Sequence, residues 1–206
     1  MTELSKKESR REHILKIASE VFARFGYDKT TLEDIGKRCG LNKASLYYYF
    51  KNKEALFVQV ILSETGQFIA DLQAKTARIK AVEAKVVHYL SERIKRYEQV
   101  LNFTQLSLES LQKVEPLYMN LYQQVKAKEI LFISQLLEEG MQEQAIKTMD
   151  AKDLAESLFI ISDALKHDRM TQEELYFDGN YDYQKVENRL RTIIHLIFKG
   201  LEIHSK

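Results

Sequence analysis

Proline is almost absent from this sequence, and that scarcity constrains the fold more than any other feature. The 206 residues contain one proline, Pro116. No stretch shows the sustained alternation of apolar and polar residues that predicts β-strands. Apolar residues instead recur at three- and four-residue intervals, the spacing of a helix with one buried face. The sequence therefore predicts an all-α protein.

Residues 30–53 predict two short helices joined by a sharp turn. The pair Thr30–Glu33 has the spacing of a capping box, which closes the start of the first helix. Gly40 ends that helix, because glycine adopts the left-handed conformation at little steric cost. Asn42 is a favoured N-cap for a second helix over residues 43–50. Two capped helices around a glycine-containing turn are typical of a helix-turn-helix.

The second helix of this motif carries side chains suited to reading DNA. Its first turn offers Asn42, Lys43 and Ser45, which are small or polar groups able to approach base edges. Tyrosines then fill positions 47–49, and three consecutive residues cover about 300° of a helix circumference. At least one or two of these phenols must stand in solvent, where they can hydrogen-bond a phosphate. The alternative, that a tyrosine closes the edge of a core, applies mainly to Tyr49.

Residues 12–57 resemble the N-terminal domain of the TetR-type transcriptional regulators. The matching words are FARFGY from position 22, TTLEDI from position 30, CGLNKASLYYYF from position 39 and KNKEAL from position 51. The resemblance implies a three-helix DNA-binding head with its second motif helix in the major groove, and a larger helical body for ligand binding and dimerisation. A lysine at the start of the next helix contacts phosphate in that family. The residues predicted to bind DNA are Thr31, Asn42, Lys43, Ala44, Ser45, Tyr47, Tyr48, Tyr49 and Lys53.

Two positions depart from the family pattern. Gly36 stands where the family commonly has alanine, which loosens the first motif helix by roughly 1 kcal/mol. Glu33 stands near the place where some members have a basic DNA contact. Thr31 is therefore the one residue of this helix that we assign to DNA.

Charge divides the chain into a basic head and an acidic body. Residues 1–53 hold 12 Lys and Arg against 7 Asp and Glu, and residues 54–206 hold 19 against 23. The net charges are thus +5 and −4, although the whole chain carries only +1. This split fits a protein with one end on DNA. We predict a DNA-binding domain over residues 1–53 and a ligand-binding and dimerisation domain over residues 54–206.

Cysteine content and hydropathy exclude several classes of protein. The single cysteine, Cys39, rules out an intramolecular disulfide and a zinc cage, and its place on an apolar stripe predicts burial. The N-terminus is polar and no apolar run reaches the ~20 residues of a membrane span, so we predict a cytoplasmic protein. No nucleophile with a base, glycine-rich phosphate loop or metal-ligand spacing is present, so no enzyme, cofactor or metal is predicted.

Helical periodicity predicts seven helices outside the motif. Asn102 and Pro116 are expected to mark breaks between helices. Gly140 is expected to end a helix, and Asp150 or Asp153 to start the next one. Residues 1–9 are expected to fray, although Lys6, Lys7, Arg10 and Arg11 could touch a DNA backbone. An irregular segment is predicted over residues 169–183. The predicted helices span residues 10–25, 52–75, 79–98, 102–113, 117–139, 151–168 and 184–203.

The last two predicted helices are apolar over too much of their circumference to be covered from one side only. A second copy of the chain, related by a two-fold axis, would cover the other side with a four-helix interface. Burial within a monomer is the alternative. The predicted dimer interface consists of Leu154, Leu158, Ile161, Leu165, Leu190, Ile194, Ile197, Phe198 and Leu201.

Aromatic and polar residues of the middle helices predict a ligand pocket in the body. Aromatic walls with scattered hydroxyl and imidazole groups are the usual composition of small-molecule sites. The alternative is an ordinary core, and the weak default for the ligand is an apolar or amphipathic small molecule. The candidate lining residues are His88, Tyr89, Phe103, Leu106, Tyr118, Tyr122, Phe132 and Phe159.

These predictions combine into a function. We expect a homodimeric transcriptional regulator, a repressor by default, that binds a palindromic operator on double-stranded DNA and is released by a small-molecule effector. An activator, or a ligand-independent DNA-binding protein of the same fold, is the alternative. An all-helical enzyme carrying a helix-turn-helix would be a competitor from another class.

Overall fold

The computed structural model describes residues 3–104, 107–167 and 183–203. These residues form eight α-helices, and no strand occurs among them. The all-α prediction is therefore confirmed. The helices are α1 Glu3–Phe25, α2 Leu32–Arg38, α3 Lys43–Tyr49, α4 Lys53–Thr76, α5 Val82–Thr104, α6 Leu108–Gln142, α7 Ala151–His167 and α8 Tyr183–Leu201.

The first of two compact units comprises the described residues of 1–68 and 100–125. Its core lies between α1, α2, α3 and the start of α4, and Val114 of α6 belongs to the same cluster. Three aromatic rings meet there, with the Phe57 centroid 5.1 Å from Phe22 and 4.7 Å from Tyr27. Cys39 is 5% exposed, so its predicted burial is confirmed. This core fixes the helix-turn-helix on a rigid support.

The second unit comprises the described residues of 69–99 and 126–206. Leu90 of α5, Leu137 of α6, Leu158 of α7 and Ile194 of α8 are each fully buried, so all four helices contribute to the core. The two units are a grouping of contacts and do not test function. The division into a DNA-binding domain over residues 1–53 and a body over residues 54–206 stays a prediction.

The N-terminal helix is longer than predicted. It begins at Glu3, so the segment expected to fray is helical from that residue onward. Side chains from these turns pack on the first unit: Lys7 lies over the Tyr48 ring, and Arg11 donates a hydrogen bond to Gln59 at 2.7 Å. These contacts hold the turns where propensity alone predicted fraying.

Two predicted helix breaks are wrong. Asn102 lies inside α5 and Pro116 lies inside α6. The interruption falls instead before Ser107, whose hydroxyl accepts the Ser110 amide at 3.3 Å. Pro116 and Gln112, the residue whose carbonyl loses its usual donor, are both exposed. Water can satisfy that carbonyl, so a proline is tolerated here.

The predicted helix end at Gly140 is also wrong, because α6 continues to Gln142. A Cβ atom at position 140 would lie 2.9–3.0 Å from the side chain of Val82, so the glycine permits close packing instead. The turn that follows the helix contains a left-handed residue, Gln144 at φ 57°. The amide of Ala145 then donates to the Gly140 carbonyl at 2.9 Å, which closes the helix end.

The later helices largely follow the predictions. Asp150 caps α7 by accepting the amides of Lys152 and Asp153, both at 3.0 Å. Helices α7 and α8 begin within one residue of their predicted starts. Of the segment predicted to be irregular, residues 169–182 lie outside the described residues, and Tyr183 begins α8.

Helix α4 corrects one expectation about hydropathy. By length and composition it would be able to cross a membrane, which the sequence reasoning did not anticipate. The same property is found in core helices of soluble proteins, and four of its apolar side chains, Leu56, Phe57, Val58 and Val60, belong to the core of the first unit. Length and composition are therefore weak grounds for a membrane span.

Candidate functional site

Helix α2 is capped one residue later than predicted. Its N-cap is Thr31, whose hydroxyl oxygen accepts the amide of Asp34 at 3.2 Å, while the Asp34 carboxylate accepts the Thr31 amide at 3.1 Å. The Thr31 hydroxyl also donates to Asp34 at 2.6 Å, and these bonds lower the pKa of that carboxyl. Thr30 is buried and donates to the Gly26 carbonyl instead. The predicted Thr30–Glu33 box is wrong by one position.

The turn after α2 forms as predicted. Gly40 has a φ of 65°, and the amide of Leu41 donates to the Gly36 carbonyl at 2.9 Å. A Cβ atom on Gly36 would lie 3.3 Å from the Leu41 carbonyl oxygen, so the glycine that departs from the family pattern permits a tight turn. Asn42 then caps α3 by accepting the Ser45 amide at 2.8 Å. The two motif helices are thereby fixed against each other.

Helix α3 buries Leu46 and exposes most of the residues predicted to bind DNA. Tyr47 is 46% exposed and Tyr48 is 69% exposed. Tyr49 is half-buried against the core of the first unit, which matches the alternative given for it. The exposed set on α3 and its cap is Asn42, Lys43, Ala44, Tyr47 and Tyr48, and Ser45 is half-buried.

Basic residues of α1 extend this surface. The Lys7 ammonium lies 4.9 Å from the centre of the Tyr48 ring, which places the start of α1 beside α3. Lys6, Arg10 and His13 are exposed and line a shallow cavity of about 290 Å³. Arg11 differs, because it packs over the Phe50 ring at 5.2 Å. Lys6, Lys7 and Arg10 thus add positive charge next to the exposed tyrosines.

Lys53 has a structural role that the sequence did not reveal. Its ammonium donates to the carbonyls of Tyr27 and Thr30, each at 3.1 Å, and lies 4.1 Å from the centre of the Tyr27 ring. These contacts tie the start of α4 to the turn between α1 and α2. The assignment of Lys53 to a phosphate stays a prediction, and the third N–H of the ammonium is the donor that it would use.

An ion pair joins the two motif helices at their exposed surface. Lys43, the first residue of α3, places its ammonium 2.9 Å from the Glu33 carboxylate in the first turn of α2. Their side chains are 65% and 55% exposed. The hydrogen bond and the charge of each partner lower the pKa of Glu33 and raise the pKa of Lys43. Sequence reasoning missed this pair, because the residues lie ten positions apart across a turn.

The body contains a buried polar cluster centred on Arg93. Its guanidinium donates to Glu129 at 2.9 Å, to Ser162 at 3.1 Å and to Asp163 at 2.8 Å, and it stacks over the Phe159 ring at 3.9 Å. The cluster links α5, α6 and α7. No motif pointed to it, because a lone arginine on an amphipathic helix is usually solvated.

Tyr89 completes this cluster. It is fully buried, its hydroxyl lies 3.2 Å from Glu129, and its ring centre lies 5.0 Å from that of Phe132. Burial raises the pKa of Glu129 above its ordinary value, although the positive charge of Arg93 opposes the shift. Burial also raises the pKa of Tyr89. A charged group in this cluster therefore depends on its partners for stability.

The residues predicted to line one ligand pocket fall into different units. Tyr118 and Tyr122 belong to the first unit, where their rings stack at 5.3 Å. Tyr89, Phe132 and Phe159 belong to the second, with His88, whose buried Nε2 has no hydrogen-bond partner among the described residues. The side chain of Phe103 and the whole of Leu106 lie outside the described residues. The pocket stays a prediction, and Tyr89 and Phe159 are core residues of their unit.

The predicted dimer interface stays a prediction, and its residues differ in burial within the single chain. Five of its nine residues are buried within the second unit, because they face the other helices of that unit. The exposed apolar residues of α7 and α8 are instead Ile160, at 57%, and Leu196, at 63%. Four predicted residues, Leu154, Ile161, Leu165 and Ile197, are half-buried. The five buried residues are Leu158, Leu190, Ile194, Phe198 and Leu201.

The geometry defines a class of protein: a helix-turn-helix with an exposed second helix, carried on an all-α chain. Residues 14–60 match the model of the family described as bacterial regulatory proteins, tetR family. Residues 14–60 are therefore a tetR-family domain, in agreement with the resemblance found in the sequence.

Individual relatives agree with this family. The transcriptional regulator RutR of Escherichia coli strain K12 is 36% identical over 66 residues, which are 32% of this chain and 31% of RutR. This chain thus matches about a third of the length of that relative. The fatty acid metabolism regulator protein of Bacillus subtilis strain 168 is 25% identical over 199 residues, 94% of this chain and 95% of that protein. These relatives are regulators and not enzymes, in agreement with the prediction.

A solved structure extends the likeness to nearly the whole chain. A transcriptional regulator from Cytophaga hutchinsonii ATCC 33406 superposes with a TM-score of 0.73 at 26% identity. The match covers 93% of this chain and 98% of the other. The similarity therefore includes the helical body as well as the head.

Proposed function

We propose that this chain is a cytoplasmic DNA-binding transcriptional regulator that binds a near-palindromic operator as a homodimer and is released by a small-molecule effector. The observation that carries the proposal is the exposed face of α3, with Lys43, Tyr47 and Tyr48 in solvent on a helix capped at Asn42. Neighbouring exposed aromatic side chains on one helix can mark an interaction surface. Here they stand on the helix that a helix-turn-helix inserts in the major groove.

Recognition divides between two kinds of contact. Lys43 and Ser45 reach base edges from the first turn of α3, and the phenols of Tyr47 and Tyr48 contact phosphate or a thymine methyl group. Lys6 and Arg10 add phosphate contacts that depend on charge and not on sequence. The head therefore reads a short half-site with few side chains.

A homodimer supplies the rest of the affinity. Ile160 of α7 and Leu196 of α8 are exposed apolar side chains on the last two helices, and half-buried Ile197 lies beside Leu196. A second copy covers this face in our proposal. Two identical heads related by a two-fold axis then read two inverted half-sites, which makes the operator a near-palindrome.

The effector is proposed to be amphipathic with a long apolar chain. The support is the apolar and aromatic composition of the body, together with the whole-length relative named for fatty acid metabolism. A ligand that favours one arrangement of the body weakens DNA binding, and DNA weakens the ligand equally. A coupling of about 1–3 kcal/mol changes DNA affinity roughly 5- to 150-fold. Repression follows where the operator overlaps a promoter, and activation is the alternative.

Selection of duplexes from a random library with the wild-type protein tests this function. We expect the selected sequences to be inverted repeats. Tyr47→Ala and Lys43→Ala are expected to lose most of the affinity for them while keeping the dimer mass, because both residues lie in solvent on α3. Phe25→Ala is the matched control, since Phe25 is 41% exposed but ends α1. A library that yields no preferred sequence would overturn the proposal.

The same duplexes test the effector. Palmitoyl-CoA is expected to weaken DNA binding within the range given above, whereas CoA without the acyl chain is expected to leave it unchanged. If no acyl compound that binds the protein alters its DNA affinity, the ligand-independent alternative replaces this part of the proposal.

A further inference from the structure

We propose that Glu33 competes with DNA for Lys43 and thereby lowers the affinity of the protein for non-cognate sequences. The inference rests on the proposed function, since it concerns the helix that would enter the groove. Its starting point is the 2.9 Å ion pair between the Glu33 carboxylate and the Lys43 ammonium. In this pair a carboxylate oxygen binds the ammonium that an acceptor on DNA, either a base edge or a phosphate, would otherwise bind.

The pair is not needed to hold the two helices together. Their packing depends on buried Ile35 and Leu46, which are 0% and 1% exposed, and on the Gly40 turn. The two charged side chains lie at the surface instead, and exposed ion pairs contribute little to stability. The Glu33–Lys43 ion pair can therefore break without separating the two helices, and its main effect is on the binding of Lys43 to DNA.

The position of the pair sets its consequence for DNA. Lys43 begins α3, four residues before exposed Tyr47, so its ammonium lies on the face proposed to meet the duplex. When an acceptor on the DNA binds the Lys43 ammonium, the Glu33 carboxylate loses its ion-pair partner. It then remains close to the negatively charged DNA backbone. Binding then exchanges one ion pair for another and leaves an extra negative charge at the interface, which disfavours the complex.

The cost falls most heavily on non-cognate DNA. Binding without sequence recognition depends almost entirely on neutralising phosphates, so the loss of one available cation removes a large share of it. A cognate site also gains contacts from Ser45, Tyr47 and Tyr48, which are uncharged, so the Glu33 carboxylate affects them less than it affects Lys43. Glu33 therefore increases the ratio of specific to non-specific affinity while weakening both.

The test compares Glu33→Gln with wild type on a random-sequence duplex and on a duplex selected by the wild-type protein, between about 50 and 200 mM salt. We expect Glu33→Gln to bind the random duplex about three- to tenfold more tightly at low salt, with a salt slope steeper by about one. The gain on the selected duplex is expected to be smaller.

Two further variants separate competition from general charge. Glu109→Gln makes the same change in net charge and breaks an exposed ion pair of the same kind, with Lys113 at 2.6 Å on α6. It is expected to leave both affinities close to wild type. In a Lys43→Gln background, Glu33→Gln is expected to lose most of its effect, because no lysine remains to be released.

Three results would overturn the proposal. They are an affinity of Glu33→Gln for random DNA equal to wild type, a gain that Glu109→Gln reproduces, and a gain undiminished without Lys43. In each case the wild type would still prefer its selected duplex, so the proposed function would stand. If neither wild type nor Glu33→Gln binds any duplex, both proposals fail. Circular dichroism checks that the total helix content of each variant equals that of wild type.

Discussion

At the scale of single residues, Asp28 shows how a short turn is fixed in one conformation. It lies between α1 and α2, and its carboxylate accepts hydrogen bonds from the hydroxyl of Ser110 and from the amide of Ser107, the latter at 2.9 Å. The Ser110 bond is the largest cause of a pKa lowered below the usual range, followed among the favourable contacts by the Ser107 amide. The ionised form is therefore the one that the fold binds.

This shift predicts a loss of stability in acid. The pKa of Asp28 is lower in the folded protein than in the unfolded chain, so its contribution is complete above the unfolded pKa and is lost as the pH falls through the folded one. We expect Asp28→Asn to lower the melting temperature by a few degrees at neutral pH, and the difference from wild type to shrink as the pH falls below the ordinary range of an aspartate. Thermal melts across this range measure the difference.

The exposed Asp153→Asn variant is the control for that series, because Asp153 lies in the first turn of α7 and outside the first unit. Its melting profile should run parallel to that of wild type. If Asp28→Asn also ran parallel to wild type down to pH ~3, the two hydrogen bonds would not favour the ionised carboxylate.

Single-residue geometry was also where sequence reasoning was least accurate. Two threonines precede α2, and Thr30–Glu33 and Thr31–Asp34 have equal spacing, so local sequence does not choose between them. The choice follows from packing, because Thr30 is 2% exposed and bonds Gly26 instead. The Lys53 contacts to two carbonyls were likewise unpredictable, since they depend on where the turn after α1 lies.

At the scale of elements, the Arg93 cluster joins three helices that apolar contacts alone would leave free to slide. Arg93 and Glu129 are 8% and 2% exposed, so neither charge is solvated. A buried ion pair is a poor source of stability in itself, but removing one partner strands the other. The cluster therefore specifies how α5, α6 and α7 meet.

Arg93→Ala is predicted to destabilise the protein by about 3–5 kcal/mol, because Glu129 would remain buried without its counter-charge. Urea unfolding followed by circular dichroism measures the change. The matched control is Lys113→Ala, which removes a cation from an exposed pair with Glu109 and should leave the free energy of unfolding close to that of wild type. Equal losses in the two variants would mean that Arg93 is effectively solvated.

Element types were predictable from periodicity, whereas several ends were not. The glycine turn at Gly40 and the cap at Asn42 follow from local chemistry, and both formed as expected. Pro116 and Gly140 are usual helix breakers, yet both lie inside α6. Pro116 is tolerated because the carbonyl that loses its donor is exposed to water. Gly140 is required because Val82 packs against it. Neither condition can be recognised from the sequence around the residue itself.

At the scale of the whole molecule, the apolar faces of α7 and α8 can pack either within the chain or against a second copy of it. The periodic stripes of both helices were assigned to a partner, but their most apolar faces turn inward. When the apolar surface of a helix is wide enough for two contacts, the sequence does not show which part packs within the chain and which part is left for a partner. Ile160 and Leu196, which remain exposed, are the side chains that we propose for the contact with a second copy.

Leu196→Glu is therefore predicted to convert the dimer to monomer, because it places a charge on the apolar face proposed for the interface. Sedimentation measures the mass. Leu131→Glu is the control, since Leu131 is 58% exposed on α6 and not on α7 or α8. A dimer that tolerates Leu196→Glu, or that is split equally by both changes, would place the interface elsewhere.

The nearness of Lys7 to Tyr48 has a practical consequence for anyone preparing this protein. An affinity tag fused ahead of Glu3 would begin about one helical turn from Lys7, beside the phenol proposed to touch the duplex. Oligohistidine there would add imidazoles next to the phosphates and change the measured salt slopes. Binding assays should use protein from which the N-terminal tag has been cleaved, or protein with the tag at the C-terminus.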